Sequence, residues 1–218
     1  MTTLFLFSAA WALFFLWRSG AGLRAVAVCA MLGAAHLLLQ WNGFYARTDT
    51  MPPRAVLLLA PSVLIVLAVL ARPAGRKWMH SLDLGALTLL HTCRVGVEWM
   101  LHHAWLDGQV PRTMTFEGTN FDIVSGLSAP LVWAYLRYSK SPHRWVLPAW
   151  NLLCLALLAN IVVTAVLSLP GPMQVMNHAM PNRLVLTGPY VLLPAVVVPV
   201  VLFAHLCVLL RPRSVADR

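Results

Sequence analysis

Charge is what this sequence lacks most. Charged residues make up 11% of the 218 positions and hydrophobic residues make up 60%, whereas about a quarter of a typical soluble domain is charged. Lysine is almost missing, because 14 of the 16 basic residues are arginine. This composition excludes an ordinary soluble domain and indicates an integral membrane protein.

The motifs of common catalytic sites are also absent. The sequence contains no HExxH, no GxSxG, no Walker loop and no CxxC spacing. The four cysteines are Cys29, Cys93, Cys154 and Cys207, and all of them lie in apolar runs. This placement is typical of buried thiols, so neither a disulfide framework nor a zinc knuckle is indicated. The basic residues that give the chain its net charge of +9 lie in short loops between apolar runs. These loops are interpreted as contacts to lipid headgroups, which excludes nucleic acid as a partner.

Long apolar runs are what the sequence has instead. Most of them approach the roughly 20 residues that a membrane-spanning helix needs, and no repeat or linker divides the chain. We therefore predict a single all-α domain over residues 1–218, a polytopic bundle of seven transmembrane helices in contact with the lipid bilayer. The predicted spans are about 2–17, 23–42, 54–72, 84–105, 120–137, 145–169 and 186–210.

The basic residues of the loops predict the orientation. Eleven follow spans 1, 3 and 5 or lie in the tail, and four lie on the opposite side. By the positive-inside rule, the N-terminus is outside and the C-terminus is cytoplasmic. The first group is Arg18, Arg24, Arg72, Arg76, Lys77, Arg137, Lys140, Arg144, Arg211, Arg213 and Arg218, and the second is Arg47, Arg54, Arg112 and Arg183.

Several segments resemble a family of uncharacterised bacterial integral membrane proteins. The main signature is MTFEGTNFDI at Met114–Ile123, continuing to GLSAP at Gly126–Pro130. The resemblance extends to GFY at 43–45 with PPR at 52–54, and to LPAVVVP at 193–199 followed by His205. It implies a multi-pass protein of the bacterial inner membrane and carries no known chemistry.

Span 4 contains the most unusual feature, a stripe of four ionisable residues. At 100° per residue, His91, Arg94, Glu98 and His102 fall within an arc of about 80°. A charge at mid-bilayer costs about 2.5–3.5 kcal/mol, so these side chains are expected to face protein or water. One hypothesis is a polar pocket with Glu98 as proton carrier or cation ligand. The alternative is an Arg94–Glu98 pair at i,i+4 that neutralises itself.

The start of span 5 adds polar residues at a similar depth. Thr119 or Asn120 is a natural helix N-cap, and Asp122 would then lie in the first turn, where a carboxylate is stabilised by the helix dipole. In the alternative, Asp122 and Glu117 converge with the outer half of the span 4 stripe. Both interpretations remain open from the sequence.

Two cofactors are considered for these residues. Glu98, His102 and Asp122 offer the oxygen and imidazole ligands of a divalent metal site. His91 and His205 are each about six residues from a cytoplasmic span end, so they could share a depth and ligate a haem. One histidine pair does not specify tetrapyrrole packing, so haem is disfavoured.

Two further features are assigned to helix packing. His36 and Gln40 share one face of span 2, where they predict interhelical hydrogen bonds, with a shared outer cavity as the alternative. Pro194 and Pro199 are expected to loosen span 7 and to free backbone carbonyls.

Three functions remain open. The first is a protein with a polar pocket open to the periplasm that handles a small solute or ion, in transport or in ligand sensing. The second is a membrane-embedded enzyme, metal-dependent or not, that acts on a lipid or lipid-soluble substrate. The third is an accessory subunit of a membrane complex, and a homo-oligomer is also considered.

Overall fold

A computed structural model describes residues 1–51 and 53–211 of the chain. All regular structure in these residues is helical, so the predicted all-α class is confirmed. Pro52 and the tail residues Arg213, Asp217 and Arg218, which enter the resemblance or the charge pattern, lie outside the described residues.

The described residues form nine α-helices joined by short 3₁₀ and π turns. The α-helices are α1 (Thr2–Leu16), α2 (Gly22–Trp41), α3 (Ala60–Ala71), α4 (Pro73–Ser81), α5 (Leu84–Leu90), α6 (Cys93–Leu106), α7 (Ile123–Tyr138), α8 (Val146–Leu167) and α9 (Val198–Leu209). The π turns are Trp17–Ala21 and Leu193–Val197, and the 3₁₀ turns are Phe44–Ala46, Arg54–Leu58, Arg112–Met114, Leu184–Leu186 and Gly188–Val191.

Three helical stretches are long and apolar enough to cross a membrane. They are Thr2–Trp41, Val146–Leu167 and Gly188–Leu209, and Ala60–Ala71 is a shorter apolar helix. These stretches suggest a membrane location. Predicted span 3 is shorter than expected because its first part is a 3₁₀ turn, and predicted span 4 is split into α5 and α6. The arrangement of seven crossings stays a prediction.

The stretch Thr2–Trp41 is a hairpin of two helices. Gly20 and Gly22 have φ values of +91° and +84°, a region that glycine enters without steric cost. The start of α1 lies against the segment 188–197, where Thr2 Oγ1 is 2.9 Å from Tyr190 Oη. The helix α2 packs against the same segment, so the chain reverses direction between α1 and α2.

The loops gather at two ends of the molecule. At the end that we call the basic end, Asp83 N donates to Ser19 O over 2.8 Å, and Arg211 Nη1 donates to Leu82 O. This end contains the segments 17–22, 72–83, 139–145 and 210–211. At the opposite end, which we call the loop end, the segments 42–51, 53–59, 107–122 and 168–192 meet through backbone and side-chain contacts.

The helix α4 was not predicted, because its residues had been assigned to a loop between spans 3 and 4. It lies at the basic end and is amphipathic. Met79 is buried and Trp78 stacks on Phe203 of α9, with ring centroids 5.4 Å apart, whereas Arg76 and Lys77 are exposed.

A break between α5 and α6 corrects the predicted continuous span 4. Around it, Arg94 N bonds to His91 O and Val95 N to Thr92 O, the three-residue spacing of a 3₁₀ turn. The stripe calculated at 100° per residue therefore does not continue to His91. The helix α7 crosses close to the break, since a Cβ at Gly126 would lie 2.7 Å from Val95 Cγ2.

The buried core is centred on α9 and the π turn before it. Pro199 lacks the N–H that would bond to the carbonyl of Ala195, and Ser62 Oγ of α3 donates to that oxygen over 2.5 Å. The helix of span 7 is thus loosened beside α3, as its prolines predict. The freed carbonyl of Ala195 receives its hydrogen bond from α3.

Candidate functional site

A buried ion pair joins α6 to the start of α7. Arg94 Nε donates to Asp122 Oδ2 and Arg94 Nη2 contacts Asp122 Oδ1, both at 2.7 Å. The two residues are 2% and 4% exposed. This two-point geometry is the strongest form of an arginine–carboxylate pair. The predicted Arg94–Glu98 pair is wrong, because the partner of Arg94 is Asp122.

The rest of the Arg94 guanidinium is bound by α8 and α9. Nη2 donates to Cys154 O at 3.3 Å, and Nη1 lies 3.4 Å from His205 Nε2. His205 Nδ1 is 2.8 Å from Asn151 Oδ1, and the amide of Asn151 is oriented by its bond to Leu147 O. Because Arg94 can only donate, the network assigns His205 as neutral with its proton on Nδ1.

Glu98 is held by an amide instead of a cation. Asn120 Nδ2 lies 2.7 Å from both carboxylate oxygens of Glu98 and 3.0 Å from Met114 O. Asn120 Oδ1 accepts from Asp122 N at 3.2 Å. Asn120 therefore ties the Glu98 carboxylate to the backbone beside the Arg94–Asp122 pair.

Of the two interpretations left open for the start of span 5, an N-cap at Thr119 or Asn120 is not found. The helix α7 begins at Ile123, so Asp122 is at the N-cap position, and its side chain makes no capping bond. The carboxylate turns to Arg94 instead, because a buried guanidinium is a stronger partner than the helix N-terminus. Of the residues in the alternative interpretation, Asp122 and Glu98 come together at the cavity, whereas Glu117 and His102 do not join them.

A cavity of about 370 Å³ lies beside these groups. The helices α3 and α8 each pack on α9 and contribute walls to it, and residues of the loop end line it as well. The lining is apolar except for Arg94, Glu98, Asp122 and Asn182. Its apolar walls include Val63, Leu101, Ile161, Val162, Val197 and Val201.

The charges around the cavity do not balance within the described residues. Arg94 and Asp122 neutralise each other. Glu98 is 1% exposed and accepts its hydrogen bonds from the neutral Asn120 amide, with no ion pair in residues 1–51 and 53–211. A buried carboxylate without a cation is costly unless it takes up a proton or a positive ligand.

The other outer candidates lie apart from this network. His102 stacks on Phe116 with ring centroids 4.7 Å apart, and Glu117 is exposed. Across the described part of the chain, no three His, Cys, Asp or Glu side chains are grouped to hold a metal ion. The predicted set of Glu98, His102 and Asp122 is therefore not assembled.

The remaining histidines have local partners. His36 Nδ1 is 2.6 Å from Tyr45 Oη, and burial raises the pKa of Tyr45 to about 12, so the hydroxyl remains a donor. Neither His36 nor the half-buried Gln40 lines the cavity. His91 and His205 stack with centroids 4.2 Å apart at 27°. They share a depth as predicted, but their rings are in contact and leave no room for a haem between them.

Sequence patterns did not predict that Asn151, Cys154 and His205 belong to the hydrogen-bond network of Arg94. In the sequence, His205 was considered only in the resemblance and as a partner of His91, Asn151 is an isolated polar residue of an apolar span, and a contact to the Cys154 backbone carbonyl has no sequence signal. Asn182 of the loop end was also not identified as a site residue. The available signal for Asn151 and His205 was that polar residues in apolar spans tend to face the interior of the bundle and to pair with one another.

Comparison with known proteins identifies a family for this chain, but the family has no assigned activity. No curated protein and no solved structure matches the chain. The family described as "Domain of unknown function (DUF8737)" matches residues 51–211, a range that includes the ion pair, Asn120, Glu98 and the whole cavity lining. The resemblance found in the sequence is confirmed in this coarser form: the chain belongs to the DUF8737 family, whose domain has no assigned function.

Proposed function

We propose that this protein crosses the bacterial inner membrane seven times and handles a small solute or ion in the cavity beside Glu98. The seven crossings would be α1, α2, α3 with its preceding 3₁₀ turn, α5 with α6, α7, α8, and the segment 184–209. The gathering of connections at two ends supports this arrangement. The basic residues of the basic end support a cytoplasmic position for it under the positive-inside rule.

Glu98 carries the functional proposal. Its carboxylate lines the cavity, is almost fully buried, and receives its hydrogen bonds within the described residues from a neutral amide. An ionisable group inside a membrane bundle is costly and typical of ion and proton pathways. In this role Glu98 takes up a proton or a cation, while the Arg94–Asp122 pair holds α6 and α7 around it.

The side from which the ligand enters follows from the cavity lining. Met114, Leu169, Asn182 and Val185 belong to the loop end and contribute to the walls. With the basic end in the cytoplasm, the loop end faces the periplasm, so the cavity is loaded from there. Within the described residues, the ligand set considered for a metal-dependent enzyme is not assembled.

Ion flux through proteoliposomes tests the proposal. Purified full-length chain is reconstituted in vesicles that contain a pH-sensitive dye, and a membrane potential is imposed by a potassium gradient with valinomycin. Proton uptake, and separately the uptake of labelled Na⁺, should exceed empty vesicles for at least one ion. Glu98→Gln, which keeps the side-chain volume, should reduce that flux at least tenfold.

The matched control is Glu117→Gln, which removes the same charge from an exposed position of the loop end. It should leave the flux unchanged. Flux of neither ion above empty vesicles, or a flux that Glu98→Gln leaves intact, contradicts the proposal.

A further inference from the structure

We infer that the cavity binds an organic cation with an apolar body, a protonated amine, with its ammonium group on Glu98 and Asn182; this inference rests on the function proposed above. It follows from which hydrogen-bonding atoms at the cavity are already satisfied and which are free. The same atoms argue against an anion and against a neutral hydrocarbon.

Asn182 presents an unsatisfied acceptor at the cavity. The residue is fully buried and lines the cavity, and its Oδ1 has no hydrogen-bond partner among the described residues. Its two donor groups are engaged, because Nδ2 donates to Ala165 O at 3.2 Å and the backbone N donates to Ser168 O at 2.8 Å. A buried acceptor left unpaired costs about 1–3 kcal/mol, so a ligand with an N–H or O–H donor is favoured there.

Glu98 offers the second acceptor. Its oxygens can together accept about four hydrogen bonds, and Asn120 Nδ2 is the donor that contacts them. The carboxylate also needs a positive charge to replace the solvation that burial removes. One ammonium group supplies both the charge and three N–H donors.

Most of the donors that could bind an anion in this cavity are already engaged. The Arg94 guanidinium is bound by Asp122, Cys154 and His205. An anionic ligand would have to displace the Asp122 carboxylate and would face the Glu98 carboxylate and the Asn182 carbonyl. The polar edge of the cavity therefore selects a cation with hydrogen-bond donors.

The rest of the cavity determines the body of the ligand. Its volume of about 370 Å³ is within the range of about 300–1,000 Å³ found for small-molecule sites. The walls that α3, α8 and α9 contribute are valine, leucine, isoleucine and alanine side chains, which offer no ligands to a hydrated inorganic ion and suit an aliphatic or aromatic body. An inorganic cation would leave this apolar volume unfilled.

Three phenylalkyl probes of nearly equal size separate these possibilities. They are 4-phenylbutylamine, 4-phenylbutanol and 4-phenylbutyrate, which carry a cationic, a neutral and an anionic head. Binding to the full chain in lipid nanodiscs is measured by calorimetry at pH 7, with protein-free nanodiscs correcting for partition into lipid. We expect the amine to bind at least tenfold more tightly than the alcohol, because hydrogen bonds to a charged group contribute about 1.5–3 kcal/mol, and the butyrate to bind more weakly still.

Variants then locate the ammonium group. Glu98→Gln should reduce amine affinity at least tenfold, to the level of the alcohol, and Asn182→Ala should weaken the amine more than the alcohol. Glu117→Gln should leave all three affinities unchanged. The comparison of probes on the unmodified protein needs no variant, so a variant that fails to fold does not prevent the test.

The outcomes separate this inference from the function on which it rests. Equal binding of the amine and the alcohol, or preference for the butyrate, overturns the inference. If Glu98-dependent proton or Na⁺ flux persists in that case, the proposed function stands and the ligand is inorganic. If neither flux nor selective amine binding is found, both fail.

Discussion

At the scale of single residues, the Arg94–Asp122 pair is the contact on which the site depends. It connects α6 to the start of α7 and is sealed from solvent, with Cys154 and His205 satisfying the other guanidinium nitrogens. A buried pair of this kind contributes little net stability over apolar residues, but the loss of one partner leaves an uncompensated charge. Its energetic role is therefore visible only when one member is removed.

The first residue-scale prediction follows from that asymmetry. Asp122→Asn should lower the free energy of unfolding by about 3–5 kcal/mol, because the Arg94 charge stays buried without its carboxylate. The measurement is unfolding of the purified protein by titration with sodium dodecyl sulfate, followed through helical circular dichroism.

The control for this variant is Asp107→Asn, at an exposed position just after α6. It should change the unfolding free energy by less than about 0.5 kcal/mol. An Asp122→Asn protein as stable as the parent would show that the ion pair is not retained in solution.

Sequence patterns identified half of this site at the residue scale. Intramembrane charge pointed to Arg94 and Glu98, because such groups are rare in apolar spans. Their partners could not be chosen from helical spacing, which relates residues on one helix only. Asp122 and Asn120 were ambiguous for a physical reason, since a polar residue before a helix suits both a cap and a tertiary contact.

At the scale of elements, the break between α5 and α6 and the crossing of α7 form one unit. The helix α7 approaches so closely that a Cβ at Gly126 would lie 2.9 Å from Val95 N as well as 2.7 Å from Val95 Cγ2. Small residues at helix contacts are typical of membrane proteins for this reason. The distance between α6 and α7 in turn sets whether Asp122 reaches Arg94.

The element-scale prediction is that Gly126→Ala destabilises the protein. The added methyl group must push α7 away from the turn, at a cost of about 1–3 kcal/mol for overpacking. It should also reduce Glu98-dependent flux, because Asn120 precedes the same helix. Unfolding in detergent and flux in proteoliposomes measure the two effects.

Leu127→Ala, an exposed neighbour on α7, is the matched control. It should alter neither stability nor flux by a comparable amount. A Gly126→Ala protein that behaves like Leu127→Ala would contradict the close packing of α7 on the break.

The sequence patterns located most elements and missed their irregularities. Apolar runs predicted α1, α2 and α8 to within about two residues at each end. The split of span 4, the 3₁₀ start of span 3 and the π turn of span 7 depend on tertiary partners such as Ser62, which no local pattern shows. The helix α4 was missed because it is short and polar on one face, a composition that also suits a loop.

At the scale of the whole molecule, the two ends differ in charge and in the length of their connections. The basic end contains short turns and α4, whereas the loop end contains three long irregular segments and part of the cavity lining. This asymmetry carries the proposed orientation in the membrane.

Cysteine labelling tests that orientation. A cysteine introduced at Asp107, in the loop end, should react with an impermeant maleimide added to spheroplasts, whereas one at Lys140, in the basic end, should react only after lysis. The native cysteines contribute little background because Cys93, Cys154 and Cys207 are buried and Cys29 is half-buried.

The unmodified chain, treated in the same way, gives that background directly. Labelling of both introduced cysteines from outside, or of the Lys140 position alone, would contradict the proposed topology. The three longest apolar stretches do not by themselves fix the topology. The number of shorter helices that cross the membrane determines which loops face each side.

The contact between Thr2 and Tyr190 has a consequence for the order of assembly. These residues are 188 positions apart, and α1 also packs on α5, α6 and α9. During synthesis α5 and α6 are made well before Tyr190 and α9, so α1 can pack on α5 and α6 while its other partners are still missing. Contacts between distant parts of a chain form late, so the part of α1 that faces Tyr190 and α9 is covered last among its contacts. The packing of the segment 188–209 therefore completes the surroundings of α1.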